Sequence, residues 1–471
     1  MSPFSLQQIQ QAIGGKILSQ FATTYSSVGT DSRKDLTGQL FIALKGEAFD
    51  AHQFLKQAQE KGAAALVVSH IPDSQKDILK FCTVIQVDDT LNALQNLGRW
   101  VRKNRTAQIL ALTGSNGKTS TKEFTAQILA EFKNVHYSQG SFNNHWGVPF
   151  SLIDLEPQHE VAVIEMGMNH KGEIQQLVGI AEPDVVVCTM VGRAHIEFFG
   201  TQEKIAEAKQ EIYLHSNPRS VAIFNIDNPF TKKMYLQEKQ RNPKRPTLTF
   251  SEKESADVQF ELVSVSFEGL QIKGSIQGVN GEVFVPIFGQ HNLTNLLAAA
   301  ALSLAAGLTA KQIWSGLKNC RSHWGRNQKV KLKSEATALF DAYNANPDSM
   351  EALLENVKTI TASRKIGVFG QMRELGDLSQ ELHEKLGQQV GSSGFSKVFF
   401  YGEDVESFRK GLIASGFNGP TFLERDFQIE LAQKLSSDIQ KNDFLVFKAS
   451  RGLKLERMLE ACEPLDFEEK K

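Results

Sequence analysis

Hydrophobic and polar positions along this chain change rhythm three times, and each change predicts a different set of elements. Up to about residue 88, short apolar runs such as "QLFIALKG" (39–46), "AAALVVSH" (63–70) and "CTVIQVDD" (82–89) predict strands of a small N-terminal α/β unit. The stretch "LNALQNLGRWVRK" follows, with Leu91, Leu94, Leu97 and Val101 near helical spacing, and predicts a connecting helix. From residue 107 strand and helix patterns alternate. "AQILALTG", "EVAVIEMG", "PDVVVCTMVG" and "SVAIFNID" are nearly continuous apolar runs, as expected of strands covered on both faces in a parallel sheet. Between about 256 and 288 the period drops to two, which predicts an antiparallel insert with a hairpin turn at Asn280-Gly281. A third region, starting near 321, alternates again through "TALFDAYN", "KIGVFGQM", "KVFFYG" and "DFLVFKAS". It predicts a second, smaller parallel α/β unit of Rossmann-like type. The expected boundaries are 1–88, 89–320 and 321–471.

Composition narrows the function classes. At 471 residues the chain exceeds one hydrophobic core, and its formal net charge of -1 leaves no electrostatic footprint for nucleic acid or an anionic membrane. The four cysteines (Cys82, Cys188, Cys320, Cys462) are far apart and form no CxxC pair, so neither zinc nor a disulfide framework is expected. No signal peptide is evident, and the most apolar stretch, "LLAAAALSLAAGL" (296–308), is too short to span a bilayer. A soluble, cytoplasmic protein is expected.

The strongest chemical signal is "LTGSNGKTSTKE" (112–123). A strand, a glycine turn and a helix start aim backbone N–H groups at one point, which suits phosphate. The usual phosphate loop has Gly, four free positions, then Gly-Lys-Ser/Thr, but that first glycine is Leu112 here. Gly114 is the nearest upstream glycine, so the loop is two residues shorter. Gly114, Ser115, Asn116, Gly117 and Ser120 would surround the phosphates, Lys118 would neutralise them, and the Thr119 hydroxyl could ligate Mg²⁺. Glu165 ends a strand and is placed to share a metal, or is a solvated strand-end carboxylate. His195 could ligate as well, although a lone histidine is more often structural. Lys209, read by itself, is an ordinary helix lysine. Asn292 and Asn295, three apart in "GQHNLTN", either read an adenine edge or cap the helix. Arg326 could clamp a transferring phosphate, or simply pair on the surface. "FDAYNANPDSM" gathers Asp341, Tyr343, Asn344 and Asn346 between a strand and a helix that Pro347 opens.

Together these pieces resemble the Mur ligase family of peptidoglycan synthesis over the whole chain, most closely its MurF type. The short loop "TGSNGKT", "EMGMN" (165–169), "AHIEFFG" (194–200), "EAKQEI" (207–212), "GQHNLTN" and "YNANPDSM" follow the family's order, and "TDSRK" (30–34) with "FIALKGEAFDAHQF" (41–54) look like its UDP-sugar-binding part. The resemblance implies ATP and two Mg²⁺ ions, with Thr119, Glu165, His195 and a CO₂-carbamylated Lys209 as metal ligands. It also implies that Lys118, His195, Lys209 and Arg326 serve catalysis, while Asn292 and Asn295 serve adenine. Asp341 would face the ribose and phosphates. Ser32, Arg33, Lys45, Asp50 and His52 would face the uridine end, and Asn143, Asn144 and His145 the diphosphate and muramoyl part. Tyr343, Asn344 and Asn346 would also serve substrate. The implied substrates are UDP-MurNAc-tripeptide and D-Ala-D-Ala, joined through an acyl phosphate, with the chain a monomer. Ala51, Ser141, Met190, Gln371 and Ala449 depart from the family pattern in loops around the substrates. Competing readings are a sister ligase adding one amino acid, a folylpolyglutamate synthetase, a P-loop kinase or ATPase, and a relative that only binds nucleotide.

Overall fold

The computed structural model describes residues 4–46 and 49–467, so Glu47 and Ala48 of the "FIALKGEAFDAHQF" stretch lie outside it. The chain divides into two compact units: Met1–Thr113 with Leu129–Val186 and Glu211–Ala222, and Gly114–Ile128 with Val187–Gln210 and Ile223–Lys471. Both are α/β.

In the first unit, a five-stranded sheet runs in the order Lys16–Ser19, Thr83–Gln86, Ala65–Val68, Leu40–Ile42, Val28–Gly29. The Lys16–Ser19 edge is antiparallel and the rest are parallel. All four residues of Ala65–Val68 are buried, which explains why that strand reads as an unbroken apolar run. The helix Thr90–Lys103 is capped by the Asp89 side chain and buries Leu94, Leu97 and Val101 of the stripe the spacing predicts, with Ala93 beside them, while Leu91 is only partly buried. Beyond it, Val161–Glu165 pairs in parallel with Gln108–Thr113 on one side and Val135–Tyr137 on the other.

In the second unit, the insert is built from Val258–Val265, Leu270–Ile276 and Val279–Val285, antiparallel in register. Its tight turn is not Asn280-Gly281. Gln277 and Gly278 make it, at φ +46° and +78°, the left-handed pair that a two-residue hairpin turn needs. Asn280 and Gly281 lie inside the strand, opposite Ser275 and Gly274. Gly281 is required there for a different reason: a Cβ would come within 2.3 Å of the Trp314 ring.

The C-terminal part is a six-stranded sheet in the order Gln328–Lys331, Thr337–Phe340, Phe444–Lys448, Lys365–Gly370, Lys397–Tyr401, Thr421–Glu424. Successive residues fill opposite cores: Phe444 and Val446 on one face, Leu445 and Phe447 on the other. The sheet is therefore covered on both sides, as the apolar runs predict. Its two outer strands, "QKVK" and "TFLE", have no such run, and Val330 is the only fully buried residue in them. Among the described residues no helix is long and apolar enough to cross a membrane, and all four cysteines are buried and none forms a disulfide.

Candidate active site

The strand Gln108–Thr113 is buried from Ile109 to its end, and Leu112 pairs with Glu165 across the sheet. Leu112 is thus a strand residue, and the loop proper is Gly114–Gly117. Both glycines are obligatory. Gly114 has φ +152°, and a Cβ there would sit 1.9 Å from Thr189 Oγ1; Gly117 has φ +80°, and a Cβ there would sit 2.1 Å from Asn295 Oδ1. The loop is anchored by Ser115 N–H on Met190 O (2.9 Å) and by Thr189 Oγ1 donating to Asn116 O (2.7 Å). The helix Lys118–Ala130 begins directly after it, so its first N–H groups have no intrahelical acceptor and favour an anion. Lys118 Nζ folds back onto Gly114 O at 2.7 Å.

Asn292 and Asn295 do not cap their helix. His291 holds the cap position, with no side-chain bond. Instead Asn295 Nδ2 donates to Asn292 Oδ1 (2.9 Å) and Asn292 Nδ2 to Phe288 O (2.8 Å), a buried amide pair packed against Gly117.

Lys209 is not the solvated helix lysine its spacing suggests. It is 1 % exposed on the helix Gln202–Leu214, and burial, with Lys118 adding to it, lowers its amine to about 7. His195 sits at φ +66° with its imidazole held below the ordinary range by burial. Its Nδ1 lies 2.8 Å from Glu374 Oε2.

Arg326 lies over the Tyr343 ring (4.3 Å to the centroid) and places Nη2 3.3 Å from Thr119 Oγ1. The structure thus joins three residues singled out in separate motifs. Asp341 is buried and engaged: its Oδ2 accepts from Lys448 Nζ (2.6 Å) and its Oδ1 from Asn327 N–H (3.2 Å). Lys448 also donates to Asn344 O (3.3 Å), and burial lowers its amine. Asn346 accepts from Ser349 N–H (2.9 Å), capping the helix Pro347–Lys358, and donates to Asn116 Oδ1 (2.8 Å). Sequence reasoning missed Lys448, although a lysine inside the apolar strand "FLVFK" was a visible signal. It also missed Glu374, Arg193 and Asp348, which carry none.

In the first unit Glu165 is 1 % exposed and accepts from Asn143 Nδ2 (2.8 Å), so two candidates from different motifs meet. Asn144 Oδ1 accepts from Gly147 N–H (2.9 Å), and His145 is exposed. Ser32 donates to Gln57 (3.0 Å), Arg33 pairs with Asp31 (2.8 Å), and Lys45 stands 4.0 Å from Asp50. His52 differs from the expectation of a ligand-facing ring. It is fully buried, with Nδ1 2.6 Å from Asp50 Oδ1 and Nε2 accepting from Ser69 N–H at 3.0 Å, so neither nitrogen is available.

The Mur ligase family, catalytic domain, matches residues 24–111; the Mur ligase middle domain matches 112–303; and the Mur ligase, glutamate ligase domain, matches 325–451. A Bacillus subtilis relative, named UDP-N-acetylmuramoyl-tripeptide--D-alanyl-D-alanine ligase, is 35% identical over 93% of each chain. A crystal structure of MurF from Acinetobacter baumannii superposes with a TM-score of 0.86 at 30% identity, covering 98% of both chains. The MurF ligase of Thermotoga maritima, solved in complex with ADP, gives 0.76 at 28% identity over 92% of this chain and 96% of that one. The chain belongs to the Mur ligase family, on the branch whose curated members are UDP-N-acetylmuramoyl-tripeptide--D-alanyl-D-alanine ligases.

Proposed function

We infer that this protein joins D-alanyl-D-alanine to UDP-N-acetylmuramoyl-tripeptide at the expense of ATP, the last cytoplasmic amide-forming step before a UDP-MurNAc-pentapeptide. The observation that carries the reading is the short loop on Gly114 and Gly117, in a chain 35% identical to such a ligase over 93% of its length. The work would divide among residues 1–88 for the UDP-sugar, 89–320 for ATP and residues 321–471 for the incoming dipeptide and closure.

A carboxylate is a poor electrophile, so its oxygen first attacks the γ-phosphorus of ATP, and the bond to ADP breaks. The resulting acyl phosphate is attacked by the dipeptide amine, which loses a proton, and inorganic phosphate leaves. Lys118 at the loop and Arg326, held on Tyr343 beside Thr119, would offset charge on the transferring phosphoryl group. Asn295, packed against Gly117, would keep the loop in the conformation that presents its N–H groups.

Mg²⁺ suits the donors of the second unit: the Thr119 hydroxyl at a helix start and the desolvated His195 imidazole are oxygen and nitrogen ligands of suitable kind, and the family resemblance implies the Glu165 carboxylate as a further ligand. Bound there, it would neutralise phosphate charge and orient the oxygens for in-line transfer. Lys209 would join the set after its uncharged amine adds to CO₂ and releases a proton, turning a cation into a carboxylate-like ligand. An amine lowered to about 7 by burial supports this, because only the neutral form is nucleophilic.

Phosphate release by the purified protein should require ATP, UDP-MurNAc-tripeptide and D-Ala-D-Ala together. Undiminished turnover with the dipeptide or the tripeptide omitted would point instead to a kinase or ATPase.

A further inference from the structure

Within the second unit, a closed ring of contacts runs through two neighbouring residues of the nucleotide loop. Ser115 donates through its hydroxyl to Gly192 O (3.2 Å). The next residue, Arg193, grips Asp348: its backbone N–H donates to Oδ2 (2.7 Å) and its Nε to Oδ1 (2.6 Å). Asp348 stands in the first turn of the helix Pro347–Lys358, whose cap, Asn346, donates to Asn116 Oδ1 at 2.8 Å. Asn116 follows Ser115, so the ring closes.

Two further features show that this is a fitted contact. Gly192 leaves room for the carboxylate, since a Cβ there would lie 2.6 Å from Asp348 Oδ2. The Arg193 guanidinium also reaches Glu351 (3.4 Å) one turn further along the same helix. Neither Arg193 nor Asp348 has been assigned to ATP, metal or substrate above.

We propose that Arg193 and Asp348 are positioning residues for the ligase reaction, clamping the start of the helix Pro347–Lys358 onto the nucleotide loop while the acyl phosphate waits for its amine. This rests on the function inferred above. The chemistry that needs such a clamp is plain. An acyl phosphate exposed to water hydrolyses to carboxylate and phosphate, and ATP is consumed without an amide bond. A bidentate arginine–carboxylate contact gives the angular precision that a single lysine contact does not.

The test measures phosphate released per amide bond formed, with all three substrates present, in the full chain and in R193M, D348A, G192A and the R193M/D348A double variant. R193K serves as the conservative control. The clamp predicts a coupling ratio near one in the unaltered chain, rising roughly fivefold in each of the three single variants. The double variant should be no worse than either single, and R193K should fall between. G192A is the independent arm, because it displaces the carboxylate without removing a charge. Ratios that stay at the unaltered value in R193M, D348A and G192A, or that multiply in the double variant, would overturn the proposal. Absence of any amide product from the unaltered chain would overturn the inferred function instead, so the two failures are distinguishable.

Discussion

Among single residues, Lys209 shows most clearly what the sequence alone leaves hidden. Its helix, "TQEKIAEAKQEIY", gives no sign of burial, because glutamates lie around it at ordinary surface spacing. Only the fold makes it 1 % exposed. Replacing it with alanine should abolish ligase activity, and short carboxylic acids such as acetate should restore part of it. Full activity in the unrescued variant would rule out the carbamate role. Arg193 and Asp348 were invisible for a related reason: they are 155 residues apart, and no local pattern ties one to the other. Lys118, Thr119 and Gly114 were legible because phosphate binding imposes a contiguous motif. His291 offers a pH prediction. Burial lowers its imidazole to about 4, and its Nε2 faces Asn327 Nδ2 at 3.0 Å. Between the ordinary 6.5 and that lower value the unfolded chain binds a proton that the folded chain refuses. Its contribution to stability should therefore be flat above pH ~6.5 and fall by about 2–3 kcal/mol as pH drops to ~4. Urea titrations of His291→Gln should show an acid slope smaller by that share, the part due to His136, which burial also lowers to about 4, remaining.

Elements were read well where burial is two-sided and poorly at edges. "VVVC" and "FLVF" announce themselves, since both faces of a parallel strand must be apolar. "QKVK" and "TFLE" do not, because an edge strand needs only one covered face and short pairing. The insert's turn shows competition between two demands on glycine. Asn-Gly is the stronger turn signal, yet Gly281 is held in the strand by Trp314, and Gln277-Gly278 bends instead. Two outcomes follow at this scale. Gln277→Asn, placing a residue tolerant of φ +46°, should stabilise the protein by about 0.5 kcal/mol. Gly281→Val, forced into the indole, should cost about 2 kcal/mol or more by thermal denaturation. The cap at Asn346 belongs here too: Asn346→Ala should lose about 1 kcal/mol and, because the same side chain holds Asn116, should also weaken nucleotide binding measured by calorimetry.

For the molecule as a whole, the succession of three α/β regions was readable from periodicity, and the resemblance to the Mur ligases spans all of them. What periodicity could not show is which polar groups meet. Asp341, expected at ribose and phosphate, is held by Lys448 and Asn327; Glu165 meets Asn143; Arg326 rests on Tyr343. Each pairing joins motifs far apart in sequence, and only the folded chain decides them. The prediction at this scale is that omitting either peptide substrate stops phosphate release.

The four buried cysteines carry a practical consequence. Desolvation pushes the thiols of Cys82 and Cys188 up to about 11 and that of Cys462 up to about 12, and Cys320 is equally enclosed. Thiolate, the species that alkylating reagents capture, is scarce at Cys82, Cys188 and Cys462 at neutral pH, and Cys320 is shut off from reagent by its burial. The native chain should therefore label only slowly with maleimide dyes. Two cysteines engineered on its surface would be the points labelled first, and fluorescence energy transfer between them could follow nucleotide-dependent motion without first stripping the natural thiols from the core.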